Sequence, residues 1–328
     1  MNTPRTAVTN VSRVRSALRP RRGTPVLAST TTLPAPVAVP RPRRVEVHVP
    51  APAPASPWMP SAPCSPQSCV EAVASAAAVP RAVLRFAAVL TLMVAGLALF
   101  PVVRRIPVAP RERAVRTWCR TVVRATGVRV RITGAAPPYG GLLMVANHVS
   151  WLDIPLLAAV RPGRMLAKSD IRQWPVAGAL TALSGALFID RNRLRALPDT
   201  VARIADGLRG GSAVVVFPEG STWCGRAQGR FRRAAFQAAL DAAAPVQPVR
   251  LHYRYDSGPA STAPAFVGSD SLLTSVWRVL TARDLVAEVR VMPVLAPGGA
   301  PDRRALALAA QRAVGIPERA PPDPHAHL

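Results

Sequence analysis

Between residues 142 and 291 short apolar runs alternate with amphipathic stretches, and this alternation constrains the fold more than any other feature. Leu142–Ala146, Met165–Ala167, Ala186–Ile189, Ala213–Phe217, Val246–Leu251 and Val286–Val291 read as strands. Ile154–Val160, Pro175–Leu183, Arg195–Leu208 and Arg232–Ala243 read as helices between them. Near-continuous apolar strands separated by helical segments predict an α/β domain with a parallel or mixed central sheet, flanked by helices, over residues 111–314. The run Ala205-Asp-Gly-Leu-Arg-Gly-Gly211 marks a helix end, with glycines following an arginine. No internal repeat is visible.

Upstream, the composition changes twice. Residues 1–80 are rich in Pro, Ala, Arg, Ser and Thr without sustained periodicity, a composition that cannot build a packed core and predicts a disordered arm. Residues 81–105 then predict a membrane-associated or transmembrane helix. Phe86–Val103 carries no charge and is bracketed by Arg81, Arg85, Arg104 and Arg105. As a helix it spans roughly 27 Å, about the thickness of a hydrocarbon core. Arginine on both flanks gives no orientation by itself. Residues 315–328, with Pro321, Pro322 and Pro324, read as a flexible tail.

The formal charge is +25. That excludes an acidic, highly soluble chain and favours an anionic surface, either nucleic acid or acidic lipid headgroups. Of the 42 basic residues only Lys168 is a lysine, and the bias toward arginine weakens any argument from their number. No nucleic-acid module is present, so a nucleic-acid partner is not expected. Neither a GxGxxG dinucleotide loop nor a GxSxG serine elbow occurs. The four cysteines lack the spacing of a four-ligand zinc site, and no metal is expected; Cys119 and Cys224 read as ordinary reduced residues.

Chemistry begins at Asn147-His-Val-Ser-Trp-Leu-Asp153, directly after a predicted strand. On an ideal helix, His148 and Asp153 would stand about 140° apart. They meet only if His148 occupies a turn before the helix, and Ser150 followed by Asp153 supplies that start signal. A histidine at a strand end beside a carboxylate suits a general base, because the carboxylate selects the tautomer and stabilises the imidazolium. Taken alone, the block is equally a polar loop with a helix-capping aspartate. Two further strand ends carry polar residues, Asp190 and Arg191 after one, Pro218, Glu219 and Gly220 after the next. Open α/β sheets gather their sites at such carboxyl ends.

Together the NHxSxxD, GxxFIDR, FPEG and V-x-P-V blocks, in this order over residues 125–252, resemble the motifs of the glycerolipid (HX4D) acyltransferase family, whose best-known members acylate lysophosphatidic acid. The resemblance implies acyl transfer from acyl-CoA or acyl carrier protein to a lyso-lipid hydroxyl in phospholipid biosynthesis, with no cofactor and no covalent intermediate. It makes His148 the base and Asp153 its partner, with Asn147, Ser150, Asp190 and Pro218 in support. Lys168, Arg191, Glu219, Gly220, Ser221 and Arg226 would form the substrate site. It also implies membrane lipids as partners and a membrane location with the catalytic domain on the cytoplasmic side.

Two blocks depart from the family pattern. Members continue the third block as Glu-Gly-Thr-Arg, the arginine serving the acceptor's phosphate; Ser221 and Thr222 stand there, and the next arginine is Arg226. The Phe-Lys-x-Gly block is replaced by Phe231-Arg-Arg-Ala234. Lysophosphatidic acid is therefore the default acceptor, with another lyso-lipid such as a lyso-ornithine lipid as the alternative. Lys168, in an Ala-Lys-x-Glu-like block, offers a compact ammonium suited to phosphate or developing negative charge. The readings from other classes are a non-catalytic basic protein that binds membrane or nucleic acid, and a hydrolase in which water replaces the acceptor.

Overall fold

The computed structural model describes residues 61–71, 76–173, 177–190 and 193–315, all within the compact unit Pro52–Leu328. In chain order the helices are α1 (Pro66–Cys69), α2 (Val79–Val103), α3 (Val108–Ala125), α4 (Asp153–Val160), α5 (Ala177–Leu183), α6 (Leu197–Arg209), α7 (Ala234–Asp241), α8 (Leu272–Thr281) and α9 (Arg303–Val314). The strands are β1 (Arg129–Thr133), β2 (Leu142–Ala146), β3 (Arg164–Lys168), β4 (Leu187–Ile189), β5 (Ala213–Val216), β6 (Val246–Tyr255) and β7 (Leu285–Val291).

The strands form one sheet in the order β1-β7-β6-β2-β5-β3-β4. Every neighbouring pair is parallel except β6 and β7, so the sheet is mixed. All five residues of β2 are buried, which the pleat explains. Leu142, Met144 and Ala146 face a core layer shared with Leu156 and Leu157 of α4 and Val279 of α8. Leu143 and Val145 face the opposite layer, with Ile204 and Leu208 of α6, Phe236 of α7 and Leu306 of α9. Helices on both faces follow directly from strands that are apolar on both faces.

Each predicted strand and helix is present, with ends displaced by a few residues. The first part of the Pro175–Leu183 helix falls outside the described residues. Unpredicted were α1, β1, α3, α8 and α9. The β1 burial alternates between exposed and half-buried, and its arginines mask the strand pattern. In α9 the Asp302 carboxylate caps the N-terminus, accepting from the N–H groups of Arg304 (2.8 Å) and Ala305 (2.7 Å).

Among the described residues, α2 is the helix long and apolar enough to cross a membrane, with a mean hydropathy of 2.4 over its best window and none of that window buried. Its first turns are held to α8: the Arg85 guanidinium donates to the carbonyls of Leu280 (2.8 Å) and Ala282 (2.9 Å). A cation at a helix C-terminus satisfies carbonyls that have no partner within the helix. The Trp118 indole of α3 donates to Leu92 O at 3.1 Å, tying α3 along α2.

The arm expected to be disordered over residues 1–80 is corrected in its last part. Residues 61–71 lie against the α/β domain, with Cys64 in the core and the Glu71 carboxylate accepting from Tyr255 (3.0 Å) and Ser261 (3.3 Å). Specific polar contacts order a segment whose composition alone does not. Residues 1–60, and residues 316–328 of the expected tail, lie outside the described residues.

Gly141 sets how β2 sits against α6. A Cβ there would stand 2.0 Å from the Leu208 carbonyl oxygen, with backbone that has no room to yield. Gly141→Ala should lower stability by about 1–3 kcal/mol and the Tm by several degrees. Gly207→Ala, whose added methyl would meet its nearest neighbours at 3.5 Å, should be neutral or stabilising in the same thermal melts.

Candidate active site

The site grows from the register of three strands. Val145 of β2 pairs with Val216 of β5, so His148 and Glu219 each stand three residues beyond a paired position. On the other side β2 runs parallel to β6, where Ala146 pairs with Val249. Asn147 prolongs that ladder with its side chain. Its amide N–H donates to Leu251 O at 2.9 Å and its carbonyl accepts from Leu251 N at 2.8 Å. The turn after β2 therefore leaves the sheet at a defined point.

Asp153 is the first residue of α4, and His148 lies in the turn before it. The Asp153 carboxylate is wholly buried, while the His148 side chain is 21% exposed. One carboxylate oxygen accepts from His148 Nδ1 (2.8 Å), Val149 N (2.7 Å) and Ser150 N (2.9 Å). The other accepts from the Tyr253 hydroxyl at 2.5 Å. Nδ1–H thus belongs to Asp153, which leaves the lone pair of the neutral ring on Nε2. The ring is stacked on Phe217, centroids 3.8 Å apart and 9° from parallel. Its backbone is also held: His148 N–H donates to Glu219 at 2.7 Å and His148 O accepts from Trp223 N at 2.8 Å. The Ser150 hydroxyl oxygen accepts from Leu152 N at 3.3 Å.

Glu219 is almost entirely buried and also accepts from Gly229 N at 3.0 Å. Burial pushes its carboxyl up to about 8, against the pull of the two N–H groups. Pro218 accepts from Arg232 N (2.9 Å), and Gly220 turns the chain with φ +75°, a left-handed conformation that glycine adopts without strain. Around this turn the Ser221 hydroxyl, the Trp223 indole N–H and both polar atoms of the Gln228 amide are buried without a protein hydrogen-bond partner.

Of the predicted residues, the structure brings together His148, Asp153, Asn147, Ser150, Pro218, Glu219, Gly220 and Ser221. Lys168 ends β3, two strands from β2, and its ammonium pairs with Asp170. That contact holds the Asp170 carboxyl below its ordinary range. Asp190 follows β4, its carbonyl accepting from Arg193 N at 3.3 Å; Arg191 lies outside the described residues. Arg226 is exposed and pairs with Glu71 at 3.3 Å. Sequence reasoning missed Tyr253 and Phe217. The period-two alternation Val249, Leu251, Tyr253 was available as a signal, since all three are buried on one face of β6. Burial and the neighbouring Asp153 raise the Tyr253 phenol well above its usual value, which keeps it a donor.

The Glu219 shift has a thermodynamic consequence. A carboxyl whose value rises from 4.5 to about 8 on folding binds its proton more tightly when folded. Its contribution to stability is complete below 4.5 and is lost as pH rises toward 8. Glu219→Gln should flatten the fall in stability between pH 5 and about 8 in denaturant melts. The amide keeps one acceptor but turns its NH2 toward a backbone donor, which lowers stability by about 1–3 kcal/mol at low pH.

An acyltransferase family model matches residues 127–252, the segment that carries His148, Asp153 and Glu219. The lyso-ornithine lipid O-acyltransferase of Pseudomonas aeruginosa is 38% identical over 247 residues, which cover 72% of this chain and 93% of that protein. The 1-acyl-sn-glycerol-3-phosphate acyltransferase of Neisseria meningitidis is 35% identical over 197 residues, covering 60% of this chain and 77% of that one. In fold, the crystal structure of the 1-acyl-sn-glycerophosphate acyltransferase PlsC from Thermotoga maritima superposes with a TM-score of 0.54 at 17% identity, over 73% of this chain and 93% of that chain. With relatedness extending over nearly the full length of the Pseudomonas protein, this chain belongs to the acyltransferase family and is an acyl-transferring enzyme.

Proposed function

We propose that the enzyme acylates the hydroxyl of a lyso-lipid from an acyl-CoA or acyl carrier protein thioester, with His148 as general base. The observation carrying this reading is the 2.8 Å bond from His148 Nδ1 to the wholly buried Asp153 carboxylate. Nε2 takes the hydroxyl proton as that oxygen attacks the thioester carbonyl. The C–O bond forms, the tetrahedral intermediate collapses with loss of the C–S bond, and the imidazolium returns its proton to the leaving thiolate. Asp153 stabilises the imidazolium meanwhile. The thioester is already activated, so the transfer calls for no cofactor or metal.

A lyso-ornithine type of acceptor fits this chain better than lysophosphatidic acid. Thr222 stands where the phosphate-serving arginine is expected, and its hydroxyl donates to Phe266 O. The next arginine, Arg226, shares its charge with Glu71. What lines this turn is neutral: Ser221, Trp223 and Gln228 offer unpartnered hydrogen-bonding groups. A headgroup with one carboxylate and one ammonium needs fewer cations than a phosphate monoester. Lysophosphatidic acid is the second reading, favoured by the similarity to the Neisseria enzyme and by Lys168 at a strand end. The α2 helix would place the domain at the cell membrane, on the cytoplasmic side where the acyl donors are made.

Purified enzyme in mixed micelles, given labelled acyl-CoA and each lyso-lipid in turn, should form the diacyl product faster with the lyso-ornithine acceptor. His148→Ala should reduce transfer by about 10²–10⁴-fold while leaving the fold intact, with a Tm lowered by the loss of one donor to the buried Asp153 carboxylate. Transfer at the wild-type rate would remove His148 from the mechanism, and free fatty acid as the main product would make the enzyme a hydrolase. Thr222→Arg should move the preference toward lysophosphatidic acid by about tenfold, the worth of one charge-assisted contact, measured as the ratio of initial rates.

A further inference from the structure

Three of the four cysteines converge at a place the acyl-transfer chemistry does not use. Cys64 precedes the short α1 segment, Cys69 is its last residue, and Cys224 lies in the loop after Glu219. Their Sγ atoms all lie within 4.8 Å of one another. Cys64 and Cys224 are buried and Cys69 is partly exposed, with all three unoxidised. The Ser68 hydroxyl stands 3.4 Å from the Cys69 sulfur, positioned to support it.

We propose that Cys64, Cys69 and Cys224 form a three-thiolate site for a soft, thiophilic metal ion of the Zn2+ class. Zinc binds thiolates at about 2.3 Å, which places sulfurs of one ion roughly 3.8 Å apart. The observed separation lies within about 1 Å of that value, so small side-chain rotations close the site. A disulfide joins only two sulfurs, whereas here a third lies within 4.8 Å of both. Sulfur donors without carboxylate or imidazole select Zn2+ and Cu+ over Mg2+ or Ca2+. The fourth tetrahedral position falls to water, which enters past the partly exposed Cys69.

The bound ion would join residues 61–71 to the loop at 221–226. That loop is the one whose Trp223 N–H holds the His148 carbonyl at 2.8 Å, and whose Arg226 pairs with Glu71 of the same N-terminal segment. Its role is thus structural, a cross-link between a proline-rich segment and the loop beside the base. It adds nothing to the proton transfer itself and holds whichever lyso-lipid is the acceptor.

The test uses the full-length enzyme, purified in detergent under reducing conditions, stripped by a chelator and titrated with Zn2+ alone. One ion per chain should bind, and Co2+ in its place should give intense near-ultraviolet sulfur-to-cobalt charge-transfer bands. Zn2+ should raise the Tm of the stripped wild type. Cys64→Ser and Cys224→Ser should each weaken binding by about 100-fold or more and lose the bands. Cys119→Ser, which alters the buried thiol on α3, should leave them intact. If the buried replacements do not fold, Cys69→Ser at the partly exposed position carries the same expectation. Sub-stoichiometric metal without charge-transfer bands overturns the proposal. So does rapid formation of a disulfide among the three in the presence of Zn2+, or binding unchanged in all three variants.

Discussion

A wholly buried carboxylate organises this molecule. Removing a charge from water costs several kcal/mol unless its lone pairs are used, and Asp153 uses them on His148 Nδ1, two backbone N–H groups and the Tyr253 hydroxyl. The Asp153 carboxylate also sits at the N-terminus of α4, where the helix dipole favours negative charge. The donors come from two structural decisions: the turn between β2 and α4 supplies His148, Val149 and Ser150, and the far half of β6 supplies Tyr253. Moving any of these elements leaves a buried charge unsatisfied. The same bonds that compensate the carboxylate fix the imidazole in one orientation and one tautomer.

Glu219 plays the matching part on the other side of the turn. Its two carboxyl oxygens accept from His148 N and Gly229 N, so the backbone of His148 is clamped between β2 and β5. Asp153 has four donors, one of them an ionisable imidazole. Glu219 has two neutral ones, and burial pushes its carboxyl upward. One serves the histidine ring and the other the histidine main chain. The outer parts of the site are more loosely tied: Lys168 and Arg226 are both engaged by surface carboxylates, and the loop between Ser221 and Gln228 holds neutral polar groups that await partners.

Most of the architecture was legible because its residues carry strong periodic signals. β2 and β5 are apolar throughout, and both lie mid-sheet with helices on either face. Two of the segments that escaped detection, β1 and α3, carry arginine in place of apolar residues at the surface. β1, Arg-Val-Arg-Ile-Thr, is an edge strand, and α3 buries only Cys119, Val122 and Val123 among its eighteen residues. The end of the proline-rich arm was misjudged for a related reason. Composition reports the average tendency of a segment, whereas Glu71 and Cys64 anchor theirs through contacts with residues nearly two hundred positions away.

The sequence by itself determined the α/β class and the strand-end placement of the polar blocks, and it made a meeting of His148 with Asp153 possible across the turn before α4. These follow from spacings of a few residues, within which backbone geometry leaves little choice. Tertiary structure alone decided that β6 returns beside β2 and delivers Tyr253 to Asp153, and that the turn after β5 brings Glu219 to the His148 main chain. It also decided that Cys224 meets Cys64 and Cys69. Such meetings depend on strand order and on which face a loop crosses. Many different sheets satisfy the same local pattern of apolar and polar residues, so only the folded chain distinguishes them.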